Sequence, residues 1–260
     1  MFLNNRLLEK RMLEKLEILC KSNDGNLITK QTGGLGKEIE STEYIFELKY
    51  RFRHVLFEKI RTPFDYVRFE FYCTNDMSIS VLNKILEIIG EYNQYKAQLF
   101  FCYNPFSNLP NSICDCKRVT LLRVDNTNIE YLPNSINKMV NLDFLGCSNT
   151  PLRNIPDNIC LMPKLETIEL NGTNITSLPK DIGYLKKLSH IDLRGLNLKS
   201  IPRSLVESKM SFYFDDPNYL QLNRYRGIKL ARTKVENLDI RLFTLSRDEI
   251  IRYYDKNNID

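Results

Sequence analysis

The fold class predicted by this sequence is an α/β solenoid: a right-handed horseshoe with a parallel concave sheet and helical caps at both ends. Three observations predict it. The dipeptides Leu109-Pro110, Leu132-Pro133, Ile155-Pro156, Leu178-Pro179 and Ile201-Pro202 recur every 23 residues without a slip, and a fixed period of that length marks stacked units. The apolar residues inside each unit keep the same step, for example Leu122, Val124, Ile129, Leu132, Ile136 and Met139, then Leu145, Cys147, Leu152, Ile155, Ile159 and Met162. Outside the periodic stretch, the apolar positions take helical spacing instead.

In chain order, Leu7, Leu8, Met12, Leu13, Leu16 and Leu19 outline an amphipathic helix over residues 6–20. Ile45, Leu48, Phe52, Leu56 and Ile60 suggest a second one over Tyr44–Ile60, with a polar, glycine-bearing loop at Ser22–Glu43 between them. Residues 1–66 are therefore expected to be a helical cap. Val67–Cys73 alternates as a strand does and Met77–Tyr95 has a helical pattern, so residues 67–96 read as a longer, irregular first repeat. Five strict units occupy residues 97–211, and residues 212–260 form a second cap. In that cap Phe212-Tyr213-Phe214 offers one more strand, and Ser246 with Glu249 has the spacing of a capping box ahead of a final helix.

One 23-residue turn cannot bury its own apolar residues, whereas stacked turns share a continuous core and a parallel ladder. The pattern LxxLxLxxTxIxxLPxxIxxLxxL resembles the leucine-rich repeat family, in the short LP-containing form of bacterial effectors and intracellular Ras-binding proteins. Thr127, Thr150 and Thr173 stand where that family usually carries Asn, a residue that bonds the backbone of the bend leaving the strand. The first unit has Asn104 there and the last has Leu196, so this polar ladder is expected to fail at the last unit.

Composition narrows the function classes. The net charge of +5 is spread thinly, with 37 basic and 32 acidic residues, and no segment carries a nucleic-acid footprint. The first fifteen residues, MFLNNRLLEKRMLEK, place charges every few positions, which fits neither a secretory signal nor a membrane span. Seven cysteines lack the paired spacing of a disulfide framework or a zinc site, and two histidines, His54 and His190, leave little for acid–base or metal chemistry. The expectation is a monomer with no cofactor and no metal, working in a cytosol or delivered into that of a host cell.

Two motifs tempt an enzymatic reading. Gly33-Gly34-Leu35-Gly36-Lys37-Glu38 lacks the first glycine and the closing Ser or Thr of a phosphate loop. Cys114-Asp115-Cys116 is similar to the CxD triplet of bacterial leucine-rich-repeat ubiquitin ligases, but in that family the cysteine belongs to a helical domain beyond the repeats. Cys116 instead occupies an inward leucine position, and residues 212–260 contain no cysteine. A catalytic role is not expected.

Alternate residues of a strand face opposite sides, so the positions between inward leucines point onto the concave face. Three columns follow: Gln98, Leu121, Phe144, Thr167, His190; Phe100, Arg123, Gly146, Glu169, Asp192; and Cys102, Asp125, Ser148, Asn171, Arg194. Phe100, Leu121 and Phe144 are expected to form an apolar patch beside Arg123 and Asp125, with Glu169, His190, Asp192 and Arg194 as a charged half. Apolar anchors bordered by polar groups suit a protein interface. The resemblance implies a protein partner held without chemistry, as an adaptor or effector does. A ligase fragment or a regulatory subunit within its own cytosol are the alternatives.

Overall fold

The computed structural model describes residues 2–22, 26–32, 41–47, 52–60, 66–73, 79–91, 96–213, 228–230, 233–235 and 246–257. Helix α1 (Phe2–Ser22) is followed by strands β1 (Asn26–Thr32), β2 (Ser41–Glu47), β3 (Phe52–Ile60) and β4 (Tyr66–Cys73), then helix α2 (Ile79–Glu91). The five strict units contribute β5 (Lys96–Phe100), β6 (Val119–Arg123), β7 (Phe144–Gly146), β8 (Thr167–Glu169) and β9 (His190–Asp192). The C-terminal part adds β10 (Asn197–Leu198), α3 (Arg203–Glu207), β11 (Phe212–Tyr213), β12 (Ile228–Lys229), β13 (Lys234–Val235) and α4 (Arg247–Asn257). Eleven strands form one sheet in the order β1 to β9, then β12 and β11. From β4 onward the pairing is parallel, whereas β1 to β4 are antiparallel.

The expected helix over Tyr44–Ile60 is corrected by β2 and β3, and the expected loop at Ser22–Glu43 contains β1; Gly33, Gly34 and Gly36 lie outside the described residues. Tyr44, Ile45 and Phe46, and then Val55 and Phe57, are residues that favour a pleated strand. Apolar positions at 3,4 spacing in that segment belong to two paired strands rather than to one helix face, with Tyr44 opposite Phe57 and Ile45 opposite Leu56. Residues 1–66 thus hold one helix and three strands rather than a helical cap, while the helices expected over 6–20 and 77–95 are found as α1, which buries Met12, Leu16 and Leu19, and α2, which buries Leu82, Ile85, Leu86 and Ile89.

Each strict unit repeats the same local chemistry. The prolines of the LP dipeptides set an extended approach, and their carbonyls each accept the N–H three residues on, from Ile113, Ile136, Ile159, Ile182 and Leu205, at 2.9–3.1 Å. That bond opens a short 3-10 turn in the first four units and α3 in the fifth. Leu99, Leu122, Leu145, Ile168 and Ile191 stack with no exposure at all. After every strand the chain must turn through a left-handed residue, and Tyr103, Asn126, Asn149, Gly172 and Gly195 all have φ between 55° and 76°. Asparagine and glycine tolerate that conformation, whereas Tyr103 holds it against its Cβ.

The buried polar ladder runs as expected through the first four units. Asn104 Nδ2 donates to the Phe101 carbonyl at 2.7 Å, and the hydroxyls of Thr127, Thr150 and Thr173 donate to the carbonyls of Val124, Cys147 and Leu170 at 2.7–2.8 Å. At the fifth unit Leu196 cannot donate a side-chain bond, yet the ladder does not fail. Thr233, 37 residues further along the chain, donates its hydroxyl to the Leu193 carbonyl at 2.6 Å.

This contact belongs to a sixth turn. Strand β12 lies against β9 with Ile228 opposite Ile191, and β13 lies against β10 with Leu198 opposite Val235. Ile228, Leu230 and Thr233 are buried in the positions of Ile191, Leu193 and Leu196. Of the strand expected at Phe212-Tyr213-Phe214, Phe212–Tyr213 is found at the outer edge beyond β12, and Phe214 lies outside the described residues. Helix α4 then closes the end: the Ser246 and Glu249 capping box forms, and the buried Tyr254 hydroxyl donates to the Ile201 carbonyl at 3.0 Å. Replacing Thr233 by Val keeps the volume and removes the donor, so we expect a loss of about 1 kcal/mol, read as a lower denaturant midpoint with an unchanged slope.

Candidate protein-binding face

The face of the sheet between the inward leucines is organised around Arg123 at the end of β6. The register sets Arg123 beside Gly146 and Gly146 beside Glu169, so a guanidinium that reaches Glu169 must cross β7. Gly146 leaves that path open. A Cβ there would lie 3.1 and 3.2 Å from the Asp125 carboxylate oxygens and 3.2 Å from the Phe144 ring.

Arg123 uses this space fully. Its Nε donates to Asp125 Oδ2 at 2.6 Å, its Nη2 donates to Glu169 Oε2 at 2.7 Å, and its guanidinium carbon sits 4.9 Å from the centre of the Phe144 ring. Two carboxylates and an aromatic face therefore fix one long side chain, a combination that the planar fork of arginine permits and lysine does not. Asp125 is itself held, since its Oδ1 accepts the Ser148 N–H at 2.7 Å and the Cys102 thiol donates to Oδ2 at 3.6 Å. Ser148 in turn donates its hydroxyl to Asn171 Oδ1 at 2.6 Å, so Cys102, Asp125, Ser148 and Asn171 form a continuous polar chain across four units, just beyond their strands.

The expected face is thereby divided differently than the sequence suggests. Phe100, Leu121, Arg123, Phe144, Glu169 and Arg194 are half-buried and reach the surface, but Asp125, His190 and Asp192 are buried. Asp125 is a support for Arg123 rather than a contact residue. Asp192 is 2 % exposed and gripped by Arg194, whose Nε lies 2.8 and 3.0 Å from its two carboxylate oxygens and whose Nη2 lies 2.5 Å from Oδ2. For His190 and Asp192 the sixth turn explains the difference: with β12 laid against β9, they lie within the sheet instead of on its last strand. The short IxLxxTxV run at Ile228–Val235 is the signal that could have revealed it, displaced from the 23-residue period.

Among the described residues, burial raises the thiols of the repeat cysteines. Burial pushes the Cys116 thiol up to about 12, with help from the Asp115 carboxylate, and also raises Cys114. Burial and the neighbouring Asp125 carboxylate push Cys102 up to about 11, and burial holds Cys147 well above the ordinary thiol range. The Cys116 thiol donates to the Leu86 carbonyl at 3.4 Å, so it closes the seam between α2 and the first strict unit. His54 lies within β3 and His190 on β9, six strands away in the sheet.

No family model matches the chain, and no curated protein sequence does. Among solved structures the fold is similar to a leucine-rich repeat protein of Leptospira interrogans, at 19% identity and a TM-score of 0.48, over 64% of this chain and 49% of that one. It is also similar to a plant ice-binding protein, at 20% identity and a TM-score of 0.46 over 57% of this chain and 53% of that one. A third is the plant peptide hormone receptor RGFR1 in complex with RGF2, at 18% identity and a TM-score of 0.40 over 57% of this chain and 30% of the receptor. The chain spans about half the length of the first two and under a third of the third. Among the described residues, no helix is long and apolar enough to cross a membrane. Stacked 23-residue turns, each with one parallel strand and one left-handed residue, give this chain an α/β solenoid fold similar to that of leucine-rich repeat structures.

Proposed function

We propose that this chain is a non-enzymatic interaction module that holds a protein partner on the open face of its sheet, around Phe100, Leu121, Arg123 and Phe144. The observation that carries this reading is the fixed Arg123 side chain stacked on Phe144. Interfaces draw their affinity from aromatic and arginine anchors that are already ordered before binding, because little conformational freedom is then lost. Glu169 and Arg194 supply the charged border. The raised thiols support a module without cysteine chemistry, since the thiolate is the reactive form. A role as an adaptor in its own cytosol or as an effector in a foreign one uses the same face, and translocation into host cells separates the two.

The test compares the native chain with a variant carrying Arg123→Glu and Phe144→Ala, once circular dichroism shows both to be folded. Partner capture is expected to weaken at least about tenfold, as for the loss of two anchors. Equal capture of every partner by both forms contradicts the reading.

A further inference from the structure

Away from the sheet, the 3-10 turns carry apolar side chains that the core does not use. The turns of the second, third and fourth units pack side by side, so residues 23 apart hold neighbouring places on that surface. One such row is Lys138, Leu161 and Tyr184, and the row two residues further on is Val140, Pro163 and Lys186. Leu161 is 67% exposed, Tyr184 60% and Val140 43%. A single exposed apolar residue needs no explanation, but three on adjacent turns make a patch.

Lysines border that patch. Lys138 and Lys186 belong to its two rows, and Lys164 and Lys187 follow where the chain runs on toward β8 and β9; all four are exposed. Lys164 is held in place, its ammonium donating to Asn141 Oδ1 at 2.7 Å while Asn141 Nδ2 donates to the Lys117 carbonyl at 2.7 Å, so one edge is tied across three units. The acidic groups nearby lie at the margins. Asp157 and Asp181 stand where their turns begin, whereas the lysines stand where the chain leaves the turns. Asp115 and Glu207 end the first row, and Glu207 is already engaged, accepting the Tyr184 hydroxyl at 2.5 Å and Arg203 Nε at 2.7 Å.

We infer that this surface docks on an anionic lipid bilayer, with Val140, Leu161 and Tyr184 entering the headgroup layer and Lys138, Lys164, Lys186 and Lys187 on the lipid anions. Peripheral membrane binding joins these two contributions, apolar side chains at the acyl boundary and cations in the negative surface potential. Lysines alone would suit any polyanion, but exposed leucine and valine between them gain nothing from a nucleic-acid backbone. The sheet face lies elsewhere on the molecule, so the two surfaces can be occupied together.

The test is sedimentation of the full-length chain with phosphatidylcholine vesicles, with and without about one third phosphatidylserine. Binding is expected to the anionic vesicles, to fall with added salt, and to be far weaker to phosphatidylcholine alone. Lys164→Glu with Lys187→Glu should weaken it at least about tenfold, since each lysine at an anionic leaflet is worth about fivefold. Leu161→Ser should weaken it at least about threefold, and Lys199→Glu, an exposed lysine beyond the strands, should leave it unchanged. All these side chains are exposed, and circular dichroism verifies that the variants keep the fold. Failure of the native chain to sediment with anionic vesicles, or unchanged sedimentation of either patch variant, would overturn the inference.

Discussion

Gly183→Ala is expected to unseat the C-terminal cap. A Cβ at Gly183 would lie 2.1 Å from the Ser204 carbonyl oxygen and 2.4 Å from the Leu205 nitrogen, so the obstacle is backbone rather than a side chain that can rotate away. The same approach carries two bonds, the Gly183 N–H donating to the Ser204 hydroxyl at 3.0 Å and that hydroxyl donating to the Lys180 carbonyl at 2.6 Å. In the preceding units the equivalent positions are Cys160, Asn137 and Cys114, each facing a 3-10 turn. The fifth unit replaces that turn with α3, which packs closer, and glycine is the residue that allows it. We expect a loss of about 3 kcal/mol, at the upper end of overpacking costs. Hydrogen exchange should show the loss first in α3 and α4, with β6 and β7 protected as before. An unchanged melting temperature would mean that the close packing is not maintained in solution.

Ile168→Ala acts on the centre of the array. Ile168 is fully buried, with Leu145 beside it on one strand and Ile191 on the other. Truncation removes packing on both neighbours and leaves a cavity whose walls are themselves stacked, so about 3–4 kcal/mol is expected. Each turn of a solenoid contacts its neighbours alone, so this defect should also split unfolding into two steps. The measurement is a denaturant titration followed by far-UV signal. A loss under about 1 kcal/mol would contradict the single shared core.

Most of this architecture is legible in the sequence because a strict 23-residue period repeats one physical solution. The inward leucines, the LP turns and the Thr rungs can each be read from one unit and checked against the next. The exceptions share a cause. The sixth turn was hidden because Ile228 follows Ile191 by 37 residues, so periodicity alone passes over a stretch whose IxLxxTxV residues are right. The N-terminal strands were hidden because β2 and β3 together place apolar residues at helical intervals, and pairing between segments is not a local signal. On the sheet face, alternation placed Phe100, Leu121, Arg123 and Phe144 between the inward residues, as the structure does. It could not show that Asp125 supports Arg123, or that a later segment buries Asp192.

Arg123 also illustrates how the sequence prepares a surface. Its fixed position depends on Asp125 two residues on, on Glu169 two units away and on the missing side chain of Gly146 between them. A rigid arginine on an aromatic ring is costly to order and useful when something binds against it.

The most direct test of the sheet face as the binding surface is site-specific photo-crosslinking. A photoreactive phenylalanine analogue at Leu121, beside Arg123 and Phe144, is compared with the same analogue at Leu161, which is 67% exposed on a 3-10 turn away from the sheet. The expected result is a crosslinked partner from the Leu121 probe that disappears when Arg123→Glu is added, and none from Leu161. Crosslinking of the same partner through Leu161 alone would contradict the account.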